Sequence, residues 1–319
     1  MNHADAPVGA VMVATTTFKR TAGLAQLLDS FAALEEPGEG WRFDGLLVVD
    51  NDPAASAQEM VEQHYSHVNY FCESQPGIAA ARNRAIAEAQ ALGADWIAFV
   101  DDDQTVTTSW LRELTSRAAA ESASAVIGAV RFHNPPNTPD WFVGLGVFAD
   151  QPVDQPDMKG YFSTNNLLLR IEPDPVEPPL FDERFGLTGG SDHHLGARMI
   201  AAGAHIAYAP QALAEENVLP ERVNGTSAVK RILRYGNVLT RVDLAVAEET
   251  GRSQTRIRAH AALEGVAKVG VGVLRGLTRA SGGAEGVMSG LRTSLIGIGQ
   301  LYAAAGGVVT EYKRSSSKK

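Results

Sequence analysis

A five-residue apolar run, Trp96-Ile-Ala-Phe-Val100, stops at three consecutive aspartates, Asp101-Asp102-Asp103. Such a run bounded by polar residues reads as a buried strand. Three carboxylates at its end repel one another, which points to a cation that the fold is built to hold. A polar turn is the alternative, since aspartate is common in turns and caps. The pattern recurs upstream. Gly9-Ala-Val-Met-Val-Ala14 reads as a first buried strand and runs into Thr15-Thr-Thr-Phe-Lys-Arg20, followed by an amphipathic helix with Leu24, Leu27, Leu28 and Phe31 on one face. A second strand, Leu46-Leu-Val-Val49, ends at Asp50-Asn51-Asp52-Pro53. A third, Val68-Asn-Tyr-Phe71, leads through Gln75-Pro-Gly-Ile78 to a helix that begins near Ala79 and carries Arg82 and Asn83 in its first turns. Strands alternating with helices predict an α/β fold with a largely parallel sheet, whose ligands sit outside the carboxyl ends of the strands. Thr15 to Thr17, Asp50 and Asp101 to Asp103 all fall at those ends.

With 319 residues the chain has ample length for a core, in one large domain or two smaller ones. The single cysteine, Cys72, excludes an internal disulfide and points to a reducing compartment. No electropositive partner lies near it in sequence, so it reads as a strand-end residue rather than a nucleophile. The opening MNHADAPVG lacks the basic and apolar regions of a signal peptide, so the catalytic part is expected in the cytoplasm.

The net charge of −9 conceals an asymmetry. Residues 251 to 319 hold eleven Lys or Arg against three Glu, a net +8, which leaves −17 on the rest. A basic tail on an acidic body suits a polyanion, either an anionic membrane surface or a nucleic acid. The tail's apolar content favours the membrane, on the inner face of the cell membrane, and no nucleic-acid partner is expected. Within it, Glu264, Lys268, Arg275 and Arg279 fall within about 60° of one another on a helical wheel, and Leu263, Val266, Val269, Val273 and Leu277 occupy other sides. This predicts an amphipathic helix that lies on a membrane or docks on the body. Thr293 to Thr310 is uncharged and near the lower limit for a span. Its glycines and Gln300 predict instead an interfacial or packed helix. Proline-rich stretches at 134–139 and 172–179 read as loops, where acceptor specificity is expected.

These pieces together resemble the inverting glycosyltransferases of family 2, which have the GT-A fold. The matching pieces are TTFKR, VVDNDPAASA, PGIAAARNRAI and WIAFVDDD followed by WLREL, then YFSTNNLLLR, FDERFGLTGGSDHHL and LPERVNGTSAVKRILRYGN, in the family's order. The likeness divides the chain into a GT-A domain, residues 1–240, with a Rossmann-like sheet, and a helical, basic and amphipathic extension, residues 241–319. It implies metal-dependent transfer of a sugar from a nucleotide-sugar donor, expected to be UDP-linked, onto a hydroxyl of a glycan or lipid-linked acceptor of the cell envelope.

The resemblance also implies roles. Asp103, last carboxylate of the DxD-type motif, would ligate Mg2+ or Mn2+, with Asp101 and Asp102 holding the ribose or an outer water. Oxygen ligands suit those ions, and zinc is not expected without a Cys/His cluster. Thr16 and Asp50 match positions that contact the nucleobase. Arg82 would steady the nucleotide, a surface arginine at a helix start being its alternative. Asp192 is the candidate base. The family's GGED reads here Gly189-Gly190-Ser191-Asp192, so Ser191 replaces the usual glutamate, and Asp192 also suits a helix N-cap. His193 and His194 point about 100° apart on a helix and would not grip one ion together. An ordinary, partly exposed histidine is the favoured reading, and of the two His194 is the better placed for the alternative, joining Asp103 at the cation or contacting the acceptor. Arg231 and Arg234 share a helical face that suits a phosphate or plain solvent; Arg222 precedes them. Two other readings stand beside this one. A catalytically silent nucleotide-sugar-binding or scaffold protein would explain Ser191, and a nucleotidyltransferase is disfavoured because no glycine-rich basic loop follows the first strand.

Overall fold

The computed structural model describes residues 9–150, 162–173, 176–279 and 283–310. The opening MNHADAPV, Tyr161, Asp174 and Pro175 of the second proline-rich stretch, and the closing KRSSSKK lie outside these. The elements in chain order are β1 (Gly9–Thr17), α1 (Thr21–Phe31), β2 (Trp41–Asp50), α2 (Gln58–His64), β3 (Val68–Cys72), α3 (Ile78–Ala91), β4 (Trp96–Val100), β5 (Gln104–Val106), α4 (Trp110–Glu121), β6 (Ala125–His133), α5 (Asp140–Gly144), β7 (Asn166–Arg170), α6 (Ser191–Ala201), β8 (Ile206–Asn217), α7 (Gly225–Glu249), α8 (Gln254–Thr278) and α9 (Gly283–Ala304). Two compact units result, one of Met1–Arg131, Asp150–Gly186 and Arg198–Glu216, the other of Phe132–Ala149, Leu187–Ala197 and Asn217–Lys319.

The first unit is built on the sheet. Among the described residues its strands run in the order β3-β2-β1-β4-β7-β6-β8-β5. β3, β2, β1 and β4 are mutually parallel, as the strand-helix alternation predicts, and β7 then pairs antiparallel with both β4 and β6. The strands are apolar because both faces are covered: Val11, Val13, Val48, Ile97 and Ala98 are all buried. α1 buries Leu24, Leu27, Leu28 and Phe31, the four residues that the helical period sets on one face. α3 buries mainly alanines, Ala79, Ala80, Ala81, Ala85 and Ala89, so its backbone lies close to the sheet. Gly23 does the same for α1: a Cβ there would stand 2.6 Å from the Asp102 carbonyl oxygen. The helix that follows β1 is thereby pressed onto the aspartate loop that follows β4.

The second unit is helical. Phe142, Leu145, Phe148, Val218, Ala228, Ile232 and Leu295 form its core, drawn from α5, α7, α9 and the connections between them. α7 starts at an Asn224 cap whose side chain accepts a hydrogen bond from the Ser227 amide, 2.8 Å. It continues unbroken to Glu249, so the boundary expected at residue 240 falls inside a helix. α9 resolves the expectation for Thr293 to Thr310 in favour of packing: it buries Gly290, Ser294, Leu295, Gly297, Gly299, Gln300 and Ala303. A Cβ at Gly236 of α7 would overlap the Ile296 carbonyl oxygen, and one at Gly299 of α9 would overlap that of Leu233. Glycine at both positions lets the two helices meet backbone to backbone. Among the described residues no helix is long and apolar enough to cross a membrane.

Candidate active site

The strand ends of the first unit converge on the three aspartates. Parallel register sets Thr16 beside Val49 and Thr17 beside Asp50. Thr17 Oγ1 donates to Asp102 Oδ2 at 2.7 Å, and a single nitrogen, Arg20 Nη1, bridges Asp102 Oδ1 and Asp103 Oδ2 at 3.0 Å each. Arg82 lies near Asp101, with Nη2 3.9 Å from Oδ1, and its guanidinium sits over the Phe181 ring at 5.6 Å. Arg82 is buried, so it is no surface arginine. Asn83 beside it grips the Phe181 backbone in both directions, at 2.8 and 3.0 Å.

Asp50 is fully buried, and its carboxylate is occupied by the protein itself. It accepts from the amides of Asp52 at 2.9 Å and Ala57 at 2.8 Å, and from Tyr70 Oη at 2.9 Å. The observed work of Asp50 is to fold the loop after β2. Asn51 next to it ties that loop to the start of α3, donating to the carbonyls of Glu73 and Gln75 and accepting from the Gly77 amide. Thr16 lies half-buried at the end of β1. Arg20, Asn51 and Tyr70 are contacts that sequence reasoning missed. Arg20 closes the TTFKR segment and Asn51 sits inside the Asp50-Asp52 cluster, so their positions were the available signal.

The electrostatics are those of an acidic site short of positive charge. Removal from bulk water pushes the Asp101 carboxyl up to about 7, against the pull of Arg82 and with Asp103 and Asp102 adding to the rise. Its side chain retains 39% exposure, so water still screens part of that rise. Asp102 is raised by the same cause, opposed by Arg20 and by the Thr17 hydrogen bond. A divalent cation fits these residues: all the ligand atoms on offer are carboxylate oxygens, and the Arg20 guanidinium already stands as a cation between two of them. Cys72, by contrast, donates to the Asp52 carbonyl and has its thiol raised, first by burial and then by Asp50 and Asp52, which is not the setting of a nucleophile.

Asp192 belongs to the second unit. α6 begins one residue before it, at Ser191, so Asp192 stands in the first turn rather than at the cap, where the helix dipole favours a carboxylate. Its Oδ1 accepts from the His193 amide at 2.9 Å and lies 3.1 Å from His193 Nδ1, and the His193 ring meets Tyr235 edge-on at 6.0 Å. His194 is fully buried, with Nε2 3.0 Å from Glu249 Oε1, which corrects the expectation of a partly exposed side chain. Arg231 and Arg222 each lie 4.7 Å from the Phe148 ring centre, and Arg234 is half-buried, so this is not a simply solvated basic face.

The mixed, mostly parallel sheet flanked by helices is that of the GT-A glycosyltransferases, and the carboxylate cluster lies beyond β4, the last of its parallel strands. The chain belongs to glycosyl transferase family 2, whose model matches residues 12–173. It is 32% identical over 231 residues to the succinoglycan biosynthesis protein ExoM of Rhizobium meliloti (strain 1021), covering 70% of this chain and 72% of that protein. Among solved structures it is similar to the mannosyltransferase PcManGT from Pyrobaculum calidifontis in complex with GDP-Man and Mn2+, with a TM-score of 0.54 and 17% identity over 94% of this chain and 87% of that one. It is also similar to GalNAc-T7 with UDP, GalNAc and Mn2+, with a TM-score of 0.52 and 12% identity over 74% of this chain and 48% of that one. At these identities the likeness is one of fold.

Proposed function

We propose that this glycosyltransferase is an inverting, metal-dependent enzyme that moves a sugar from a UDP-linked donor onto a hydroxyl of a glycan or lipid-linked acceptor at an anionic membrane surface. The observation that carries the reading is the Asp101-Asp102-Asp103 cluster at the carboxyl end of β4, with a cation already bridging its last two members. Asp103 would hold Mg2+ or Mn2+, and Asp101 and Asp102 the ribose or an outer water. The metal, when bound, neutralises the departing diphosphate. The two similar structures named with Mn2+ support the choice of ion, and their differing nucleotides leave the UDP assignment to rest on the family resemblance.

Thr16 and the loop folded by Asp50 would line the base pocket, with Arg82, fixed over Phe181, beside the nucleotide. Asp192 accepts the acceptor hydroxyl's proton as the oxygen attacks the anomeric carbon from the face opposite the diphosphate. The new glycosidic bond forms as the bond to phosphate breaks, and the configuration inverts. A panel of nucleotide sugars, assayed for donor hydrolysis with and without Mn2+, tests this. Release of UDP from a UDP-sugar that depends on the ion, and is nearly abolished in Asp103→Asn, is expected. Full turnover in chelator would end the metal-dependent reading, and no hydrolysis of any donor would favour a silent binding protein.

A further inference from the structure

α8 is packed inside out for a helix in water. Its buried residues are the small ones, Ala261, Gly265 and Gly272. A Cβ at Gly265 would stand 2.8 Å from the Gly297 carbonyl oxygen of α9, and one at Gly272 would stand 2.5 Å from that of Gly290. Gly290 and Gly297 answer from α9, each with its Cβ position 2.5 Å from an α8 carbonyl oxygen. The two helices thus meet on their glycine faces, and the large apolar side chains of α8 point away from the contact. Leu263 and Leu277 are each 73% exposed, and Val266, Val273 and Leu274 are more than half exposed. Gly270, in the middle of these residues, has nothing within 4 Å of its Cβ position.

At about 100° per residue, the outward arc holding Ala259, Leu263, Val266, Ala267, Gly270, Val273, Leu274 and Leu277 spans about 120°. Arg256, near its amino end, is the one charged residue of α8 on that arc. A soluble helix buries its apolar stripe, so a continuous exposed one marks a surface meant to be covered. Charge decides what covers it. Glu264 and Lys268 neutralise each other at 2.5 Å, and both also bond Gln300 on α9. What remains in α8 and the residue that follows it is basic, including the exposed Arg256, Arg275 and Arg279 within a region of net +8. A second copy docked through the same face would set one basic α8 against another. An anionic bilayer surface offers apolar depth and the opposite charge together.

We propose that the Leu263-Val266-Val273-Leu274-Leu277 face of α8 is a membrane-docking surface that lies in the plane of an anionic leaflet, with the exposed Arg256 of the same arc at the headgroups. This names the membrane partner of the reading above, and it is tested without donor or acceptor, so either can fail alone. The full chain is spun with phosphatidylglycerol-containing vesicles and with phosphatidylcholine vesicles. Expected is binding to the anionic vesicles, weakened by salt as the charges are screened. Leu263→Asp combined with Leu277→Asp, at positions open enough to leave the helical circular dichroism unchanged, should lower the bound fraction by about tenfold or more. Arg256→Glu should weaken the preference for anionic lipid. As a second readout, Leu274→Trp should shift its emission to the blue on vesicles and be quenched by brominated lipid. Failure of the intact chain to bind at low salt overturns the proposal. So does undiminished binding by the double-aspartate variant, and so does a dimer in light scattering that the double-aspartate variant dissociates while vesicles are ignored.

Discussion

Arg20 offers the sharpest test of the carboxylate cluster as a cation site, because in the free protein its guanidinium stands where a divalent ion would draw on the same oxygens. Nη1 lies 3.0 Å from both Asp102 Oδ1 and Asp103 Oδ2. Two unit charges about 4 Å apart interact by ~1 kcal/mol in water and ~4 kcal/mol at an effective dielectric constant of about 20. The Arg20 side chain is 55% exposed, so the screened end of that range applies, ~1 kcal/mol for each carboxylate. Arg20→Gln removes the competing charge while keeping a neutral hydrogen-bond donor on a shorter side chain. The sum, ~2 kcal/mol, is a factor of about 30 in affinity, and allowing for the retained amide contact, Mn2+ should bind the variant about tenfold more tightly than wild type. Titration of free Mn2+ by electron paramagnetic resonance, at low salt and without donor, reads this directly. Arg42→Gln is the control, since that arginine pairs with Asp44, at 2.5 and 2.8 Å, outside the cluster. Unchanged or weaker Mn2+ binding in Arg20→Gln, with the control normal, would refute the competition. If neither wild type nor Arg20→Gln binds Mn2+, it is the site at Asp103 that fails.

Asp192→Asn keeps the contact to the His193 amide but loses basicity, so turnover should fall by roughly two to four orders of magnitude with donor affinity retained, checked by steady-state kinetics beside donor titration. Near-normal turnover would leave Asp192 a purely structural first-turn residue. Two glycine substitutions should move stability in opposite directions. Gly236→Ala gains up to ~1 kcal/mol of helix propensity but drives its methyl group into the Ile296 backbone, and overpacking of that kind costs about 1–3 kcal/mol, so the urea midpoint should fall. Gly270→Ala meets nothing, so only the propensity gain remains and the midpoint should rise. Equal shifts for both would contradict the close α7–α9 contact.

Much of the first unit was legible because its signals are local. The one-face spacing of Leu24, Leu27, Leu28 and Phe31 and the unbroken apolar run of Trp96 to Val100 each follow from backbone periodicity, and α1 and β4 appear where that periodicity sets them. The same locality made the three aspartates conspicuous. What they touch was another matter: Thr17 and Arg20 reach Asp102 across more than eighty residues of chain, through a β1–β4 pairing that no local pattern encodes. The family resemblance marks Asp50 as a nucleobase contact, and only the folded loop reveals that three protein donors also bond its carboxylate.

In the helical unit the sequence determined less. It established the basic charge and the amphipathic period of residues near 259 to 279, which are properties of composition and of 3.6 residues per turn. Which side of α8 turns inward was decided by packing. Apolar periodicity alone would have buried the leucines, but Gly265 and Gly272 match Gly290 and Gly297 closely enough for two backbones to touch, and that contact leaves Leu263 and Leu277 facing out. A helix can bury only one of two unlike apolar faces against one neighbour. The choice depends on the shape of the partner helix, and that shape exists only once α9 has packed in place.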